Sequence, residues 1–182
     1  MVIFLPFLLA GLVPPFSPFF MAVLEAYAIH LVHMTPNAVI TLVLFALSCE
    51  MFVGVQLLVA LYRYFFELCR SGSVSPSHGT VPHARTVGGC FFRMRSQDFI
   101  SIMPRDKWNN WVCHWLYVET AKDSVRLRLP TGPAVPTSAW TKMPALGEEW
   151  NPILARIGQL VQDGMTGAMV AMDFFRRRLA PC

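Results

Sequence analysis

Residues 35–70 read TPNAVITLVLFALSCEMFVGVQLLVALYRYFFELCR, and how this stretch is sheltered decides the fold. Thr35 before Pro36 is a helix start, because the threonine hydroxyl accepts one orphan N–H and proline at the first helical position gives up no hydrogen bond. From Ala38 to Val53 apolar residues occupy every face, with Asn37, Thr41 and Ser48 forming a thin polar seam. Glu50 falls on roughly the opposite side from Thr41 at about 100° per residue. Gly54 breaks the run. A second helix is expected from Gln56 to Arg70, with Gln56, Arg63, Glu67 and Arg70 along one narrow seam. The pair reads as a helical hairpin, one member buried and the other half-exposed.

A chain of 182 residues forms one large domain or two small ones. Hydrophobic residues make up 54% and charged residues 14%, on the apolar side of globular proteins for both. The core is therefore large for the size, or part of the chain meets lipid or a partner. The net charge of +4 is unevenly placed, −2 over residues 1–69 and +6 over residues 70–182. A mildly basic second half tolerates anionic partners without requiring them. The five cysteines include no CxxC pair, and no histidine pair stands at ligand spacing, so no zinc site or other cofactor is expected. His30 and His33 have no further His or Cys placed to join them. Reduced thiols in an intracellular protein, in cytoplasm or nucleus, are the plain reading.

Met1–Leu24 carries no charge, but Pro6, Pro14, Pro15 and Pro18 interrupt it, and the basic start and small-residue cleavage pattern of a secretory signal are missing. Ala38–Cys49 is shorter than a membrane span. Extending through Glu50 places a carboxylate near the bilayer centre at about 2.5–3.5 kcal/mol. A run this apolar can bear that cost, so a membrane protein with one or two spans in residues 1–66 is kept as an alternative to a soluble helical core.

The expected architecture is α+β: a helical apolar lobe over residues 1–70, a Ser/Gly/Pro linker over 71–86, and a small antiparallel sheet followed by two helices over 87–182. Met1–Leu12 reads as a strand, a packed arm or sequence added in gene prediction. Ser17-Pro18 repeats the cap-then-proline start of a helix running to His33, with Phe20, Leu24, Tyr27 and Leu31 as its core stripe. After the linker the period changes to two. CFFRMR at 90–95, NNWVCHWLYVE at 109–119 and SVRLRL at 124–129 suggest three strands, with Trp111–Glu119 in the interior. Residues 129–146 hold prolines and read as an irregular crossing. Asn151-Pro152 starts a further helix that Gly164 ends, and Thr166 caps the last one, from Gly167 to Leu179.

Several blocks resemble the plant gypsy-type transposon domain, a transposase-like domain of proteins encoded by grass retroelements. They are GLVPPFSPFFMAVLE at 11–25, HLVHMTPNAVITLVLFALSCEMFVGV at 30–55, VALYRYFFEL at 59–68, GGCFFRMR at 88–95, WLYVE at 115–119 and GMTGAMVAMDFFRRRLAP at 164–181. Where relatives have Pro-Ser before the third helix, this chain has Gln56-Leu57. Relatives usually continue beyond the point matching Cys182 into a longer polar region, so the resemblance implies a fragment or a short gene model.

No activity is expected. A transposase or integrase core needs three carboxylates to hold two metals, whereas Glu25, Glu50 and Glu67 read as helix-surface or ion-pair residues. No aspartic-protease, P-loop, zinc-knuckle or nucleophile motif is present. The leading expectation is a non-catalytic structural or interaction module of a retrotransposon-derived protein, partnered by itself or by another retroelement protein and by no small-molecule substrate. The alternative is non-specific binding of single-stranded nucleic acid by Arg93, Arg95, Arg126 and Arg128 near Trp111, Trp115 and Tyr117, with Arg176, Arg177 and Arg178 adding charge. Against it, those arginines also suit the solvated face of a half-buried sheet.

Overall fold

In the computed structural model, residues 2–71, 85–95, 99–102, 108, 110–118 and 130–179 are described. The hairpin stretch is where order begins. Helix α3, Pro36–Ser48, starts as its sequence requires, with Thr35 Oγ1 accepting the Ala38 N–H at 3.2 Å. The polar seam turns inward on itself. The Thr41 hydroxyl donates to Asn37 O and the Ser48 hydroxyl to Leu44 O, so both groups are buried without an unmet hydrogen bond. A widened π-helical turn, Cys49–Val53, extends α3 to Gly54, whose φ of +72° is a left-handed conformation that glycine adopts without strain. The continuous helix 36–53 is long and apolar enough to cross a membrane, and 44% of it is buried inside the protein.

The second hairpin member differs from expectation. Only Val59–Phe65 is helical (α4), and Phe66–Arg70 leaves it as a strand, β2. In FELCR the apolar Phe66 and Leu68 alternate with Glu67 and Cys69, a period of two that buries one side of a sheet. The strand has a partner in β3, Cys90–Met94, in antiparallel register from Phe66 opposite Met94 to Arg70 opposite Cys90. The helical seam expected through Arg63, Glu67 and Arg70 is thereby split between a helix and two faces of a strand.

The first residues form β1, Val2–Phe4, and α1, Leu5–Leu9, whose Phe7 is fully buried. Helix α2, Pro18–Ala26, is capped by Ser17 but ends well before His33, because Ala28 turns left-handed at φ +52° and a 3-10 turn follows over Leu31–His33. The predicted stripe Phe20, Leu24, Tyr27 and Leu31 is buried throughout even so.

Among the described residues, the strands expected in one sheet fall into two two-stranded sheets. Trp111–Cys113 is a 3-10 turn, and only Trp115–Tyr117 is a strand (β4). It pairs with β1, not with β3, placing Ile3 opposite Leu116. Trp115 and Tyr117 are exposed instead of interior, because the core beneath this sheet is filled by Ile3 and Phe7. The expected strand at 124–129 and most of the linker lie outside the described residues. Helix α5, Asn151–Gln162, and helix α6, Gly167–Phe174, continued by a π turn over Phe175–Leu179, stand where the sequence puts them.

Contacts cross the boundary expected at 71–86. β2 pairs with β3, β1 with β4, and α6 rests on α3. Gly167 permits that last approach, since a Cβ there would stand 3.0 Å from Leu44 Cδ1. At the centre Phe45 meets Phe19, Tyr62, Phe66 and Phe99, with ring centroids 5.0–6.1 Å apart. The Tyr62 hydroxyl is buried there with no hydrogen-bond partner among the described residues.

Phe45→Ala is expected to destabilise the protein by about 3–5 kcal/mol through the lost ring and the cavity left behind. Tyr62→Phe is expected to stabilise it by about 1 kcal/mol, because a hydroxyl hydrated in the unfolded chain loses water on folding and gains nothing. Urea unfolding of the two variants beside the parent chain reads both, and equal losses would show that the cluster is not packed as described.

Candidate functional site

The arginines predicted to bind nucleic acid fall into two groups. On β3, Arg93 and Arg95 converge on one carboxylate, Glu67 of the neighbouring strand. Arg93 Nε donates to Glu67 Oε1 at 2.7 Å, and Arg95 Nη1 donates to Oε2 at 3.2 Å. The bond from Arg93 raises that arginine's own pKa further, as expected when a carboxylate accepts from it. Arg95 also donates to Arg63 O at 3.1 Å, and its side chain is only 14% exposed, against 65% for Arg93. Arg93 therefore presents charge at the surface, while Arg95 serves the joint between α4 and β2.

The aromatic residues assigned to stacking are not arranged beside these arginines. Trp111 packs on Phe4 and Phe7, at 5.0 and 5.4 Å, and Trp115 and Tyr117 face outward against each other at 5.3 Å. Arg126 and Arg128 lie outside the described residues, as does the side chain of Arg178.

The second group lies on the last helix and borders a feature the sequence reading missed. A groove of about 490 Å³ runs along α6, floored by Phe52, Met165, Ala168, Met169 and Met172 and edged by Asp173, Arg176 and Arg177. Met169 and Met172 are 51% and 53% exposed. Arg177 Nε stands 2.8 Å from Asp173 Oδ2, one turn back on the helix. Arg156 of α5 stands beside the groove without lining it, donating from Nε to the carbonyl of the lining residue Phe52 at 3.3 Å. The signal for the groove was present as Met165, Ala168, Met169 and Met172 at i, i+3, i+4 and i+7. A second apolar stripe, Gly167, Val170, Ala171 and Phe174, obscured it by competing for the core.

Glu50 is exposed on the far side of Arg177, beside Leu47, Met51 and Phe174. Arg63 and His33, the cation and histidine nearest to it in sequence, are engaged elsewhere. Arg63 donates to Ala139 O and Lys142 O and covers the Tyr27 ring at 5.6 Å. His33 Nδ1 accepts the His30 N–H at 3.1 Å, which places its proton on Nε2, 3.1 Å from Gly132 O. That neutral imidazole ties the 130–140 crossing to the start of α3.

Among the described cysteines, burial pushes the Cys49 thiol up to about 12, with the Glu50 charge adding to the effect, and the Cys90 thiol up to about 11. Thiols held protonated at neutral pH are poor nucleophiles.

An aromatic core enclosed by helices and two small antiparallel sheets makes this an α+β protein. Residues 2–70, from β1 through β2, are similar to the family described as "Putative gypsy type transposon", a match that covers the first part of the chain. The resembling blocks from residue 88 onward lie outside the matched stretch. No curated protein and no solved structure matches the chain.

Desolvation lowers the His33 pKa below its ordinary value of 6.5, and the nearby His30 adds to the effect. Folding thus stabilises the neutral form. That stability is complete above about pH 6.5 and is lost as pH falls from there through the depressed native value. Urea midpoints measured between pH 8 and pH 5 should fall for the parent chain and fall less for His33→Gln, whose amide takes up no proton. Parallel curves would remove His33 as the cause.

Proposed function

We propose that the chain is a non-catalytic structural or interaction module of a retrotransposon-derived protein. The observation that carries this reading is the methionine-lined groove on α6. An otherwise well-enclosed core leaves thioether side chains at the surface in a row. Methionine is flexible and polarizable, and rows of it suit adaptable apolar contact with another polypeptide. The family matched by residues 2–70 supports the retroelement origin. The carboxylates also favour a role without catalysis. Glu67 is occupied by two arginines, and Glu25 and Glu50 are exposed on separate elements, so among the described residues no three metal-ligating side chains gather.

Single-stranded nucleic acid has less in its favour, because Glu67 offsets the charge of Arg93 and Arg95, and Trp111 is used in packing. A membrane span through 36–53 would have to detach α3 from the aromatic rings gathered round Phe45.

A photo-crosslinker placed at exposed Met169 in the protein as expressed in cells should capture polypeptide, a second copy or another protein, while one at exposed Glu149 should not. Capture of lipid or nucleic acid alone from position 169, or of nothing, would overturn the proposal.

A further inference from the structure

We infer that the α6 groove receives an amphipathic helix from an acidic protein, its apolar side chains seated among the methionines and its carboxylates on the arginine rim. This rests on the interaction-module reading and names the partner of that surface.

Three features of the groove select this occupant. The floor is an apolar strip at helical spacing, which matches the i, i+3/i+4, i+7 anchors of a helix laid into a groove. It follows an 8-residue helix and the 5-residue turn continuing it, about 20 Å at 1.5 Å per residue, so it takes between about three and four turns of a partner. The rim is basic. Asp173 is matched by Arg177, which leaves Arg176 on the rim, and Arg156 beside the lining residue Phe52, without an ion pair among the described residues. Acidic side chains flanking an apolar stripe would complete that charge, and electrostatic complementarity of this kind steers association and chooses the partner.

Other occupants fit less well. A second copy would bring one basic rim against another in a chain already carrying +4, and apposed like charges are costly. A bilayer surface could use the arginines, but a concave groove of about 490 Å³ matches a convex helix and not a broad apolar plane.

The test uses twin fluorescent peptides, each a helix with leucine at i, i+3, i+4 and i+7. One carries glutamate and the other lysine at the flanking positions. The full chain should bind the glutamate peptide about tenfold more tightly than its twin and lose that preference as salt screens the rim. The double variant Arg156→Glu with Arg176→Glu should reverse the order, and Met169→Ala with Met172→Ala should weaken both peptides. These side chains are exposed, and an unchanged thermal melt confirms that each variant folds. Equal binding of the twins, or a preference that survives the arginine reversals, overturns the inference. So does binding to phosphatidylcholine–phosphatidylglycerol vesicles in place of peptide. If position 169 still crosslinks to polypeptide while the twins bind equally, the acidic partner falls and the interaction module stands. With neither crosslink nor peptide binding, both fall.

Discussion

The ring of Phe45 has no exposed surface, and the rings that enclose it come from α2, α4, β2 and the segment after β3. Each contact between aromatic edges and faces adds about 0.5–1.5 kcal/mol beyond the area it hides. More important than their sum is where the rings originate. Tyr62 and Phe66 belong to one continuous stretch, but Phe19 and Phe99 lie far from it in sequence. All three segments must arrive together before α3 is sheltered, so the hydrophobic excess of the first third is closed off only when the segment after β3 has folded onto it. The parallel bridge from Ser101 to Thr166, and the bond from the Gly167 N–H to Ser101 O, extend the same dependence to α6.

Charge is distributed to suit that core. Arg63 covers the Tyr27 ring and satisfies carbonyls of the irregular crossing, while Tyr27 donates its hydroxyl to Phe66 O and accepts the Trp140 indole N–H on its own carbonyl. Glu67 stands between two arginines at the strand joint. Removing it would leave the mostly buried Arg95 with the Arg63 carbonyl but without a carboxylate, a larger loss than the pair contributes when intact. Basic residues in the second half thus divide between those that hold the chain together and those left at the surface.

Much of the fold was legible because several signals were local. Ser17-Pro18, Thr35-Pro36 and Thr166-Gly167 each begin a helix in the structure, and all depend only on a side-chain oxygen reaching an N–H three residues on. The strand at Phe66–Arg70 was not legible in the same way. FELCR is as compatible with the last turns of an amphipathic helix as with a strand, and what selects the strand is the hydrogen-bonding edge offered by Cys90–Met94, about two dozen residues on. Trp115–Tyr117 failed for a related reason. Both of its faces are bulky, and its true partner was the opening Val2–Phe4, where no strand signal stands out.

The methionine-lined groove was hidden by ambiguity. Along α6 two apolar stripes run two residues apart, and periodicity fits either to a core. The decision rests on volume. Gly167 begins one stripe, and its missing Cβ lets that face come within contact of Leu44 and the Ser101–Ile102 backbone. The stripe beginning at Met165 has no comparable gap, so its methionines could not close onto α3 without pushing the helices apart. Close packing against α3 therefore turns the larger, more deformable side chains outward, into the groove they share with Arg176. The same steric requirement that seals the core thus leaves an apolar groove with a basic rim, and an acidic amphipathic helix is the partner that answers both properties.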